Sequence, residues 1–108
     1  MPDTESPLAP AQRRQLRAIG HQLRPVVTVA GGGLSDGVRA ELERALEDHE
    51  LIKLRLAVGD REMRDALLAQ LLQEHRAALV QRTGNVALLL RRNPQPDPRK
   101  SNLLRRLG

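Results

Sequence analysis

The sequence predicts an α/β fold of two layers, a four-stranded mixed sheet packed with helices in the order α-β-α-β-α-β-β. Three observations predict it. Apolar residues recur at helical spacing in three separate stretches. Short β-branched or alternating apolar runs lie between and after those stretches. The connections are brief and rich in Gly, Asp and Asn. Strand–helix–strand steps imply right-handed crossovers with some parallel pairing, and the last two runs imply an antiparallel hairpin. With 108 residues, 40% of them hydrophobic, the chain is sized for one domain with a true core.

Residues 1–7 read as a polar lead-in containing Pro2 and Pro7. From Leu8 to about Leu23, the side chains of Leu8, Leu16, Ile19 and Leu23 share one helical face, and Arg13, Arg14, Arg17 and His21 share another. Gly20 is expected to end this helix early, and Pro25 stops it. Val26 to Val29 is a buried strand. Ser35 is placed to cap the next helix, which runs to about His49. Ile52 to Val58 alternates as a half-buried strand, with Lys53, Arg55 and Ala57 on the polar side. Gly59-Asp60 turns into a third helix over about Arg61 to His75. Leu79 to Arg82 and Val86 to Arg91 are two strands joined by Thr83-Gly84-Asn85. The folded domain is therefore expected over residues 8–92. Residues 93–108 form a basic tail punctuated by Pro94, Pro96 and Pro98, expected to be extended and flexible.

Composition narrows the chemistry. The absence of Cys removes disulfides, thiolate metal sites and cysteine nucleophiles. The absence of Phe, Tyr and Trp removes any RNA-binding surface built on stacking aromatics. No run is long enough to span a membrane and the first residues show no secretory signal, so the expected compartment is the cytoplasm. The formal net charge is +5, unevenly spread. Residues 6–33 carry Arg13, Arg14, Arg17 and Arg24 with no acid, whereas residues 36–50 carry six acids against Arg39 and Arg44. A dipolar body with a basic tail fits a protein that turns one side to a polyanion.

Ala30-Gly31-Gly32-Gly33 lies between a strand and a capped helix, where unhindered backbone N–H groups make an anion site. A dinucleotide fingerprint fails, because Asp36 stands where its third glycine belongs. No Gly-Lys-Ser/Thr completes a Walker loop. His49 lies on an apolar stripe and reads as a core or boundary histidine. His21 and His75 lack metal-ligand spacing, so no metal site and no cofactor is expected. Glu47, Asp48 and Glu50 read as a solvated acidic face, and no nucleophile or carboxylate pocket points to an enzyme. Lys53, Arg55, Arg82 and Arg91 read as a basic strip beside the loop.

Three blocks carry a resemblance: Leu23-Arg24-Pro25-Val26-Val27 followed by Gly33-Leu34-Ser35-Asp36-Gly37-Val38; Ala45-Leu46-Glu47-Asp48-His49-Glu50-Leu51-Ile52-Lys53-Leu54; and Leu88-Leu89-Leu90-Arg91. Over about residues 8–92 the chain resembles the YhbY-type ribosome-associated proteins, single-domain members of the CRM (chloroplast RNA splicing and ribosome maturation) family. That resemblance implies a fold similar to the C-terminal domain of translation initiation factor three. It also implies RNA binding through a GxxG loop and association with large-subunit ribosomal precursors. Ala30 replaces the first loop glycine, and Leu90 stands where the family often has an aromatic. The expectation is an RNA-binding, non-enzymatic, monomeric protein that assists large-subunit assembly, with no small-molecule substrate. Ala30, Gly31, Gly32 and Gly33 would meet phosphates through the main chain, and Arg13, Arg17, Arg24, Lys53, Arg55 and Arg91 through charge. The alternative is an interaction module that docks a ribosomal protein or assembly factor, for which the acidic run 36–50 argues.

Overall fold

The computed structural model describes residues 8–104; the lead-in 1–7 and the last four tail residues lie outside the described residues. The elements are α1 (Pro10–Gly20), β1 (Pro25–Val29), α2 (Asp36–His49), β2 (Leu51–Leu56), α3 (Arg61–His75), β3 (Ala78–Thr83) and β4 (Val86–Leu90). They follow the expected order. The sheet runs β1-β2-β4-β3. β1 and β2 pair in parallel across α2, and β4 is antiparallel to both β2 and β3. The final hairpin therefore inserts its second strand beside β2, leaving β1 and β3 as the edges.

Local chemistry sets the boundaries. α1 starts at Pro10, whose fixed φ and missing N–H suit the first helical turn, two residues later than the periodicity implies. Ser35 Oγ accepts the Val38 N–H at 3.2 Å and starts α2; the Asp60 carboxylate accepts the Met63 N–H at 2.9 Å and starts α3. Gly84, with φ of 60°, takes the first position of the two-residue hairpin loop, where a left-handed residue is required.

Two apolar clusters hold the sheet. On one face Val27, Val29, Ile52, Leu54, Leu56 and Leu89 pack against Leu42 and Leu46 of α2 and Leu68 and Leu71 of α3. On the other, Leu16 of α1 packs with Leu51, Val80, Leu88 and Leu90, helped by Leu8, Ile19 and Leu23. The expected layering of sheet on helices describes α2 and α3; α1 adds cover on the opposite face. Leu51 is consequently buried, and the first half of β2 is closed on both sides. α1 comes in close: a Cβ on Gly20 would lie 2.6 Å from Leu88 Cδ2. Gly20 serves contact with the sheet as well as helix termination.

The expectation of a flexible tail does not describe residues 93–104. Ser101 is fully buried, and its hydroxyl donates to Glu50 Oε1 at 2.6 Å. Asn102 donates from its backbone to the His49 carbonyl at 2.9 Å and from its amide to the Leu51 carbonyl at 2.7 Å. The Asn93 N–H reaches Glu50 Oε2, and the His49 ring donates to the Lys100 carbonyl at 2.8 Å. Glu50, read as part of a solvated acidic face, is 3% exposed and adopts φ of 61° between α2 and β2. Prolines stop this segment joining the sheet but do not stop it packing, because its polar groups find fixed partners at that junction.

Candidate nucleic-acid interface

The glycine loop follows β1 directly. The Gly33 N–H donates to the Ala30 carbonyl at 2.8 Å, closing a four-residue turn, and the Ser35 N–H donates to the Gly33 carbonyl at 3.1 Å. Gly33 holds the left-handed conformation, with φ of 70°. Ala30 does not, so alanine in place of the first glycine carries no backbone strain. Gly31 and Gly32 are exposed, with nothing within 4 Å of the position a Cβ would occupy. Their N–H groups have no partner among the described residues, whereas that of Gly33 is already donated within the turn. The nearest acidic residue in sequence, Asp36, points its side chain fully into solvent. Two main-chain donors, rather than three, are available to an anion.

β2 supplies the adjoining charge. Lys53 and Arg55 lie on the face that α1 only partly covers, Lys53 opposite Leu88 and Arg55 opposite both Thr28 and Val86. Arg17, Lys53, Gln81 and Thr83 line a groove of about 290 Å³ between the end of α1 and the sheet. Lys53 also lines a second groove, of about 280 Å³, with Arg24, His49 and Asn102. Lys53 is the residue common to the two grooves, with Arg17 in one and Arg24 in the other. Arg55 follows two residues on along β2, toward the end that carries the glycine loop. Arg24 lies at the far end of β1 from that loop, about 20 Å away along an extended strand.

Two expected members of the surface face inward. Arg13 donates to the Leu79 carbonyl at 3.2 Å and to the Val80 carbonyl, where the register of β3 shifts. It anchors α1 to an edge strand. Arg91 forms a two-pronged ion pair with Glu43, both contacts at 2.9 Å, and donates to the His75 carbonyl at 3.0 Å. His75 Nδ1 donates to the same carboxylate at 2.9 Å. The hydrogen bonds from Arg91, followed by that from His75, hold the Glu43 carboxyl down at about 2 despite partial burial. Both arginines are tied down by geometry: Arg91 has its charge matched by Glu43, and Arg13 spends its donors on main-chain carbonyls.

The Glu43–His75–Arg91 cluster had no signal in the sequence, since its members lie on three elements. A further group, Arg61, Arg64 and Arg82, was also missed. It lines a cleft with Gly84 between α3 and the hairpin. Only the three-residue spacing of Arg61 and Arg64, which puts both on one helical face, was legible.

Comparison with known proteins places these features in a lineage. Residues 8–91 match the CRS1/YhbY (CRM) domain. A protein of Pseudomonas aeruginosa named a probable RNA-binding protein is 50% identical over 101 residues, spanning 94% of this chain and 97% of its own length. An RNA-binding protein of Haemophilus influenzae is 42% identical over 84 residues, 78% of this chain and 85% of its own. The solution structure of a hypothetical protein from Staphylococcus aureus superposes with a TM-score of 0.70 at 26% identity, covering 82% of this chain and 93% of that one. The match over nearly the whole described body makes this chain a member of the CRS1/YhbY (CRM) domain family.

Proposed function

We propose that this protein binds RNA through its phosphates and acts on large-subunit ribosomal RNA in assembling particles. The observation that carries the RNA reading is the open turn at Gly31 and Gly32. Two main-chain donors with no partner among the described residues stand there beside a sheet face bearing Arg55 and Lys53, with Arg17 of α1 bordering it. The names of its relatives support the same reading, and the ribosomal assignment rests on the resemblance to YhbY-type proteins. Without aromatics, base choice falls to hydrogen bonds from Arg, Lys, Gln81 and the main chain, and to RNA shape.

The rival reading is a module that docks another protein through its acidic helix. Three of the six acids in 36–50 are engaged within the protein, and Asp36, Glu41 and Glu47 stay exposed. Glu43 is spent on Arg91 and His75, Glu50 is buried, and Asp48 lies 4.0 Å from Lys100.

The test is equilibrium binding of large-subunit ribosomal RNA fragments across a salt series, with Gly32→Asp as the variant. A steep salt dependence is expected, roughly 0.7 log–log units per phosphate neutralised on a single strand. Gly32→Asp should weaken binding at least tenfold while circular dichroism stays native. Salt-independent affinity, or an unaffected variant, would refute phosphate recognition at this turn. Sedimentation with precursor particles, lost on ribonuclease treatment, tests the ribosomal part.

A further inference from the structure

The glycine turn, the start of α3 and the β3–β4 hairpin all lie along one rim of the sheet. The Ala57 N–H donates to the Val29 carbonyl at 2.8 Å, and the Leu56 N–H to the Asn85 carbonyl at 2.7 Å. These bonds tie the ends of β1 and β2 to the hairpin loop. At the hairpin side of this rim, Arg61, Arg64, Arg82 and Gly84 line a cleft of about 490 Å³.

Its electrostatics are unbalanced. Three guanidinium groups line the cleft, and among the described residues only that of Arg82 is paired with a carboxylate, Asp65. Asp60 spends a carboxylate oxygen on its own helix cap, and Glu62 does not line the cleft. Arg82 is steered by its Nε–H to the Gly84 carbonyl at 3.3 Å. The Arg82 hydrogen bond, with a smaller addition from the charges of Arg61 and Arg64, holds the Asp65 carboxyl below its usual range. Arg64 Nε is buried and has no hydrogen-bond partner. A buried cationic donor left unpaired is costly, and an anion oxygen is the group that would satisfy it.

The geometry points to the Arg61–Arg64–Arg82 cleft as a second phosphate site, which takes a phosphodiester of the same RNA strand that the glycine turn holds. The inference rests on the RNA reading above. From β1 to β3 is three strand spacings, ~14 Å, so one strand laid along the rim reaches both. Neither site needs a base, and together they would fix the direction in which the backbone crosses the sheet.

The experiment compares wild-type protein with Arg61→Gln/Arg64→Gln. A control, Arg44→Gln/Arg76→Gln, removes the same charge from exposed positions outside the cleft. Affinities are measured for a long single-stranded ribosomal RNA fragment and for a trinucleotide, over a salt series, with thermal melts as the folding check. The cleft variant is expected to bind the long RNA roughly tenfold more weakly, with a shallower salt slope, and to match wild type on the trinucleotide. The control should lose much less. In the wild type, the Arg64 Nε–H resonance should move on titration with the long RNA more than with inorganic phosphate at equal phosphate concentration. Equal losses in the two variants, or an unchanged slope, would overturn the cleft while leaving the glycine turn standing. A larger response to inorganic phosphate would also overturn it, marking a free-anion site instead. Wild-type protein that bound no RNA would overturn both readings together.

Discussion

Arg91 and Glu43 grip one another through two parallel contacts of 2.9 Å, joining the end of β4 to the middle of α2. The expected RNA-facing arginine is thereby a brace inside the protein. Its partner carboxyl sits at about 2 in the folded chain against an ordinary 4.5. A carboxyl depressed on folding stabilises the protein above its unfolded value, and that stability drains as pH falls. Acid unfolding should therefore steepen between pH 4.5 and about 2. Because Glu43 is half-exposed, solvent screening cuts the contribution to on the order of 1–2 kcal/mol. Glu43→Gln should flatten that limb in denaturant titrations at stepped pH; an unaltered limb would mean the brace carries no stability.

The glycines of the turn separate by backbone conformation. Gly33→Ala places a Cβ at φ of 70° and should cost about 1–2 kcal/mol in urea unfolding. Gly31→Ala and Gly32→Ala meet open space and should leave stability within about 0.5 kcal/mol of wild type. Equal costs at all three positions would contradict the described turn.

Gly20 is set by its neighbour. Gly20→Ala gains at most ~1 kcal/mol of helix propensity at a helix end, but drives a Cβ into the buried Leu88 side chain. Overpacking of this kind costs about 1–3 kcal/mol, so net destabilisation is expected. Leu88→Ala should offset part of the clash, and a double-mutant cycle on melting data should show non-additivity. Additive effects would place Gly20 away from Leu88.

Ser101→Ala removes one of the donors to the buried Glu50 carboxylate. A destabilisation of about 1–3 kcal/mol is expected. Trypsin should also cut sooner after Arg99 and Lys100, because the bonds from Ser101 and Asn102 hold that stretch. Wild-type cleavage rates there as fast as in an unfolded peptide would show that the segment is not docked.

How much was readable follows from how local each cause is. The three helices and four strands were legible because caps, prolines and apolar periods act within a few residues. The glycine turn was legible as an exposed bend for the same reason. Which of its N–H groups remains free was not, because that depends on the bond from Gly33 back to Ala30. Arg13 and Arg91 looked like surface charge, since their acceptors lie 66 and 48 residues away in sequence. The His49-Glu50-Leu51-Ile52 string read as an acidic helix end entering a strand. The segment that docks on it lies about fifty residues later, so its role in the junction was invisible.

The sequence by itself determined the order and type of the elements, the absence of aromatic stacking, and an open glycine bend between strand and helix. Only the tertiary structure decided that β4 lies between β2 and β3, that α1 closes half of the second sheet face, and which arginines keep their charge free. Periodicity and turn chemistry are properties of neighbouring residues. Pairing of a guanidinium with a carboxylate depends on where distant segments come to rest, and packing energy settles that only once the chain has folded.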